Sequence, residues 1–161
     1  MDENPYKSPT ATFAVHATKL KVRTAGRTLA CLFFLLSLFC GTIGAGDDDG
    51  FLLGGVCLLF GMLYLPWYAN PFIFLSAHFL QANRPRWAVA FSAIATALAM
   101  STLQIKEILI NEGGATGPVT GYGIGFYLWI GCCVTLLATS LFCLPAGSLR
   151  FQNQDAAKRL S

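Results

Sequence analysis

The stretch from Gly50 to Asn83 reads GFLLGGVCLLFGMLYLPWYANPFIFLSAHFLQAN, 34 residues without an Asp, Glu, Lys or Arg. A bilayer's hydrocarbon core is about 30 Å thick, and about 20 apolar helical residues cross it. The apolar part of the run, Phe51 to Leu80, would measure about 45 Å as one helix. Pro66 and Pro71 interrupt it. Two readings fit. In one, the span ends near Ala69 and residues 72–80 lie along the membrane surface. In the other, a broken or tilted helix crosses from Gly50 to about Ala82. A surface helix needs a strongly polar face, and residues 72–80 offer only Ser76 and His78. The broken span is therefore the favoured reading.

Three further charge-free stretches flank this one. Thr28–Gly46 and Trp87–Ile105 are 19 residues each, and Gly113–Leu149 is 37. Backbone groups in lipid must be satisfied internally, so each span is expected to be helical. The run LFFLL at 32–36 does not alternate as a barrel strand would. The expected fold is all-α, an integral membrane four-helix bundle. Its spans fall at about 28–45, 51–82, 86–110 and 121–145. Residues 1–27 are expected to form a flexible basic cytoplasmic tail, and 146–161 a short cytoplasmic tail.

Composition agrees. Of 161 residues, 55% are hydrophobic and 12% charged, against about 25% charged in soluble domains. The mean hydropathy is +0.57. These values exclude a soluble globular enzyme, a disordered chain and a disulfide-rich secreted scaffold. The net charge is +3, with a strongly uneven distribution. Lys7, Lys19, Lys21, Arg23 and Arg27 precede the first span, Arg84 and Arg86 lie between the second and third, and Arg150, Lys158 and Arg159 follow the fourth. Lys106 alone lies on the other side, with Asp47, Asp48, Asp49, Glu107 and Glu112. The positive-inside rule then puts both termini in the cytoplasm. The basic region before the first span is long for a secretory signal, so that span is expected to be retained.

Two groups of residues stand out. Pro66, Trp67, Tyr68, Asn70 and Pro71 form a candidate intramembrane polar and kink site. Pro66 would free the carbonyl of Met62, and Pro71 that of Trp67. Asn70 could take up one such carbonyl or bond across to another helix. Broken helices of this kind also form ion sites in transporters. Gly121, Gly123 and Gly125 are read as helix-packing positions at the start of the fourth span, and the alanines of the third span permit close helix approach. The segment DDDG at 47–50 is read as an external turn, with Asp48 or Asp49 capping the next helix. Residues 111–121 form the one sizeable external loop.

Several chemistries find no support. The six cysteines fall within the expected spans and form no CysXXCys pair. His16 and His78 are the only histidines, too few for a haem ligand pair within the spans. No Asp, Glu, Lys or Arg lies deep in a span, where it would mark a functional site. No catalytic, metal or cofactor residues are assigned, and the chain is not expected to be an enzyme.

The segments NPYKSP (residues 4–9), WYANP (67–71) and NEGG (111–114) followed by GYGIGFYLWI (121–130) together resemble a family of small, uncharacterised four-span bacterial inner-membrane proteins. The resemblance implies the bacterial inner membrane and carries over no activity. The expected function is helix–helix association, as an accessory subunit or homo-oligomer. The alternative is a small permease or channel with its path at the broken second span, lined by Trp67, Tyr68 and Asn70. The expected contacts are the lipid bilayer and a membrane-protein partner or further copies of the chain, and no nucleic acid.

Overall fold

A computed structural model of the chain describes residues 9–45, 51–109 and 116–144. The acidic turn at 47–50, the NEGG segment at 111–114 and the C-terminal tail from 145 lie outside the described residues.

Helix α1 runs from Pro9 to Phe39. Residues 9–27 are thus helical, which corrects the flexible tail expected there. The segment holds several alanines, leucine and lysines, all good helix formers, with no glycine until Gly26. Strand β1 (Gly41–Ala45) occupies the end of the expected first span, and β2 (Phe51–Leu53) follows. Helix α2 (Gly54–Phe60) runs into a 3-10 turn at Gly61–Leu63. A second 3-10 turn, Leu65–Tyr68, leads into α3 (Ala69–Gln81). Helix α4 (Pro85–Met100) ends in a 3-10 turn at Ser101–Gln104. Strands β3 (Glu107–Leu109) and β4 (Thr116–Tyr122) precede α5 (Ile124–Cys143).

The four strands correct the all-α expectation. They form an antiparallel sheet in the order β2-β1-β4-β3. Ile43 lies opposite Leu52 on one side and Tyr122 on the other, and Ile108 lies opposite Gly117. The sheet is built from the connections between α1 and α2 and between α4 and α5, so it closes one end of the bundle. The third expected span stops being helical at Gln104 for this reason.

Three helices are long and apolar enough to cross a membrane: Ala17–Phe39, Pro85–Gln104 and Ile124–Cys143. A fourth crossing exists if Gly54–Leu63 and Leu65–Gln81, bent by 109°, count as one span. The packing is the reverse of a soluble bundle. Leu29, Leu32, Leu35 and Leu36 of α1 are exposed, while Ala30 and Ser37 are buried. On α4 the buried positions are Ala88, Ser92, Ala95 and Ala99, a seam of small residues at helical spacing. Such seams let helix backbones approach closely. Buried hydroxyls bond their own helices: Ser37 to the Phe34 carbonyl, Ser92 to that of Val89, and Thr139 to that of Thr135. Ser76 bridges α3 to α4 through the Ala88 carbonyl at 3.0 Å.

At the end opposite the sheet, basic residues tie the chain together. Arg23 donates to the Asn83 side chain at 2.9 Å, and Lys19 to the Leu144 carbonyl at 3.3 Å. Asn83 has a positive φ of 57° in the tight turn between α3 and α4, which asparagine tolerates. Phe79, Trp87 and Phe91 stack across this hairpin.

Glycines set the closest approaches. A Cβ on Gly54 would overlap the Ser37 carbonyl oxygen of α1, and one on Gly125 would come within 2.7 Å of the Cys40 carbonyl oxygen. Around Gly121 nothing lies within 4 Å. Gly54→Ala and Gly125→Ala should therefore each cost about 1–3 kcal/mol, the usual cost of overpacking. Gly121→Ala should change stability by no more than about 0.5 kcal/mol. Melting temperatures in detergent check this, and a Gly54→Ala protein melting with the wild type would mean that α1 and α2 do not touch there.

Candidate functional site: a cavity at the broken span

The break falls after Leu63, earlier than either proline. Tyr64 is extended (φ −105°, ψ 136°) between the two 3-10 turns. Pro66 sits in the first turn of the segment that follows, and Pro71 is the third residue of α3. Both occupy helix starts, where a missing N–H costs nothing. They begin the helical segment after the bend rather than kinking a continuous helix.

The bend would strand backbone carbonyls. Two side chains hold them. Trp67 Nε1 donates to the Leu58 carbonyl of α2 at 2.6 Å, a bond that reaches back across the bend. Asn70 Nδ2 donates to the Trp67 carbonyl at 3.0 Å, the carbonyl that Pro71 leaves without its helical partner. The Asn70 Oδ1 accepts from Trp129 Nε1 of α5 at 3.0 Å. Asn70 is buried and thus links the break to the opposite helix. Both bonding modes read from the sequence for this residue occur at once.

Because α2 turns away by more than a right angle, a space of about 650 Å³ opens beneath the sheet. Ile43, Leu52 and Ile108 form its roof, Phe34 and Ser37 of α1 one wall, and Phe126 and Trp129 of α5 another. The segment around the bend, including Cys57, Leu58 and Tyr64, forms a further side, and the space is partly open to the surroundings. Of the kink residues, Pro66, Trp67 and Asn70 line the space. Tyr68 is 48% exposed and Pro71 is exposed, and neither lines it, although the Tyr68 ring meets that of Trp67 edge-on at 5.5 Å. No Asp, Glu, Lys, Arg or His lines it among the described residues.

Most of its polar side chains are already engaged. The Ser37 hydroxyl bonds the Phe34 carbonyl. Thr42 donates to the Leu52 carbonyl at 2.8 Å, and its hydroxyl lies 3.2 Å from Cys57 Sγ. The Tyr64 hydroxyl accepts from the Leu109 N–H at 2.7 Å, tying the bend to β3. Thr102 differs. It is 3% exposed, and its hydroxyl has no hydrogen-bond partner among the described residues. Its carbonyl is held by the Tyr122 hydroxyl at 3.0 Å and the Ile105 N–H at 3.0 Å. Burial, and secondarily the nearby Tyr127, push the Tyr122 phenol above its ordinary pKa, so it stays a neutral donor.

The glycines chosen from the sequence take other places. Gly121 lies in β4 opposite Gly44. The Gly123 N–H donates to the Thr42 carbonyl at 2.8 Å, which seats α5 on β1. Gly125 faces the α1–β1 junction within the same chain. The cavity residues of the sheet and Thr102 were missed because non-local strand pairing and the end of α4 leave no periodic signal. His78 is exposed at the far end of α3, away from this space.

No family model, curated protein or solved structure matches the chain. The site is therefore read from its own geometry.

Removing the Asn70 amide leaves the half-buried Trp129 N–H without its partner. Asn70→Leu and Trp129→Phe should each lower stability, and the double variant should be no worse than Asn70→Leu alone. The coupling energy expected is about 1 kcal/mol, in the range for polar contacts between membrane helices. A double-mutant cycle by unfolding in micelles measures it, and additive losses would show that the two side chains do not interact.

Proposed function

We propose that the chain is a multi-pass protein of a bacterial inner membrane, with both termini cytoplasmic, that takes an uncharged apolar small molecule into the cavity at its broken second span. It is thus read as a small permease or carrier. The observation that carries this is the cavity itself, a charge-free space of about 650 Å³ bounded by the bend. Ligand sites commonly measure about 300–1,000 Å³, with mostly apolar walls and a few placed polar groups. The orientation is supported by the basic side chains gathered at the end opposite the sheet, as the positive-inside rule requires of a cytoplasmic face. The resemblance of the WYANP and NEGG segments supports the bacterial setting.

Association with a partner or with further copies draws less from the geometry. Ala88, Ala95 and Ala99 are buried within the chain, and Gly123 and Gly125 pack against its own α1–β1 junction. These small residues are used in the internal packing, whereas Ala90, Ala93 and Ala97 of the same helix are exposed.

Native mass spectrometry of the protein released from its own membrane tests the proposal. The expected species carries a non-covalent adduct of small mass. Filling the cavity by Ile43→Phe in the roof, or by Leu58→Phe in the wall, should reduce adduct occupancy at least about tenfold, as one lost interaction of about 1.4 kcal/mol would. A stoichiometric second protein with no small adduct would overturn the reading in favour of an accessory subunit.

A further inference from the structure

The end of the bundle opposite the sheet holds charges that the cavity does not use. Arg84 and Arg86 flank Pro85, the first residue of α4, where the turn from α3 enters that helix. Both are exposed, and their guanidinium groups make no hydrogen bond or ion pair among the described residues. A third guanidinium reaches the same turn from α1. Arg23 donates to the Asn83 side chain at 2.9 Å, and Asn83 directly precedes Arg84. That single bond leaves further N–H donors on the Arg23 group. Among the described residues no carboxylate balances these charges, because Glu107 is the one Asp or Glu there and it belongs to β3 of the sheet. Arg84, Pro85, Arg86 and Trp87 line an open hollow of about 340 Å³. Trp87 is 56% exposed, and its ring is held by stacking on Phe91 at 6.1 Å. Its indole N–H has no partner among the described residues. From Trp87 the exposed residues Ala90, Ile94 and Ala97 follow at helical spacing, so an apolar face runs from the hollow along α4.

We propose that this turn binds the headgroup of an anionic phospholipid. Arg84 and Arg86 hold the phosphate with Arg23 beside them, and an acyl chain lies along Ala90, Ile94 and Ala97. The inference rests on the reading of the apolar helices as membrane spans, and not on the cavity. Phosphate oxygens accept paired N–H bonds from a planar guanidinium, so arginine suits them in shape as well as charge. Like charges gathered without a carboxylate repel one another, and an anion between them relieves that repulsion. Tryptophan at the end of a span sits at headgroup level, with its ring toward the tails and its N–H toward the polar layer. A soluble phosphate compound would use the arginines but leave the face from Trp87 to Ala97 uncovered. A phospholipid uses both. Basic pockets at the cytoplasmic ends of membrane helices are a recurrent form of headgroup recognition.

The test places the full chain in phosphatidylcholine nanodiscs containing a minor share of phosphatidylglycerol with the same acyl chains. Native mass spectrometry after gentle release then counts the lipids kept by the protein. The wild type should keep phosphatidylglycerol enriched at least about tenfold over its share of the bilayer, as a charge-assisted hydrogen bond to phosphate provides. Arg84→Gln with Arg86→Gln should return the enrichment to the bulk share. The melting temperature in detergent should not change, because neither side chain bonds within the described fold. Lys21→Gln removes a charge from the same end of α1, but Lys21 is exposed and lies about 200° round the helix from Arg23. It should leave the enrichment unchanged, whereas diffuse attraction to a basic surface would lower it about fivefold for any one charge removed. Equal losses in Lys21→Gln and Arg84→Gln would overturn the site. Inorganic phosphate in excess, at matched ionic strength, should not strip the lipid. If it does, the hollow takes a soluble phosphate and the lipid assignment falls. A chain that enters nanodiscs without preferring phosphatidylglycerol overturns this inference alone. A chain that does not enter them overturns the membrane reading and this inference together.

Discussion

Turning the chain by 109° between two apolar helical segments leaves carbonyls at the bend without their helical partners, and a carbonyl left unsatisfied away from water costs several kcal/mol. The bend after Leu63 is viable because Trp67 and Asn70 take up two such carbonyls within a few residues of the break. The second function of Asn70 follows from its two-ended amide. While Nδ2 serves the local carbonyl, Oδ1 receives the indole N–H of α5, so the break is fixed in direction as well as satisfied. Trp67 acts similarly, with its main-chain carbonyl held by Asn70 and its ring N–H reaching back to α2. The two halves of the span are thereby held at a fixed angle, and the space between α2, α1 and the sheet persists.

The rest of the bundle is organised around close contact rather than apolar burial. Lipid tails are as apolar as leucine, so burying leucine between helices gains little, and association comes from backbone proximity and hydrogen bonds. The chain follows that logic. Leu29, Leu32, Leu35 and Leu36 of α1 face outward while Ala30, Ser37, Ala88, Ser92, Ala95 and Ala99 face inward, with Leu80 and Leu136 the largest fully buried side chains. Gly54 lets α2 settle on α1 beside Ser37, and this contact holds the turned-away segment in place. Gly123 and Gly125 do the same for the start of α5 on β1. The sheet and the break are thus anchored to one region of α1, from Ser37 to Thr42.

The apolar helices were legible in the sequence because long charge-free runs are a strong one-dimensional signal. The break was legible too, as Pro66, Pro71 and Asn70 have no reason to cluster in a plain span. The location of the bend was not, since Tyr64 carries no mark of an extended residue and both prolines fit the start of a helix. The sheet was hidden for a different reason. Strands of three to seven residues are too short to show alternation, and the pairing of Gly44 with Gly121 joins segments far apart in the chain. Proline is uncommon within strands, yet Pro118 lies opposite Glu107 in the ladder. Thr102 was concealed by the same effect. Its carbonyl is held by Tyr122 of β4, which lies 20 residues further along the chain.

Selectivity in such a cavity must come from its few polar groups. A molecule dissolved in lipid leaves one apolar medium for another when it meets these walls, so hydrophobic transfer contributes little discrimination. Shape discriminates only weakly between molecules that differ by a methylene, at about 1–3 kcal/mol. A buried hydrogen-bonding group discriminates better, because the wrong molecule leaves it unmet. In this fold the groups that stabilise the bend are consumed by it, and they cannot be spent on a ligand without loosening the break.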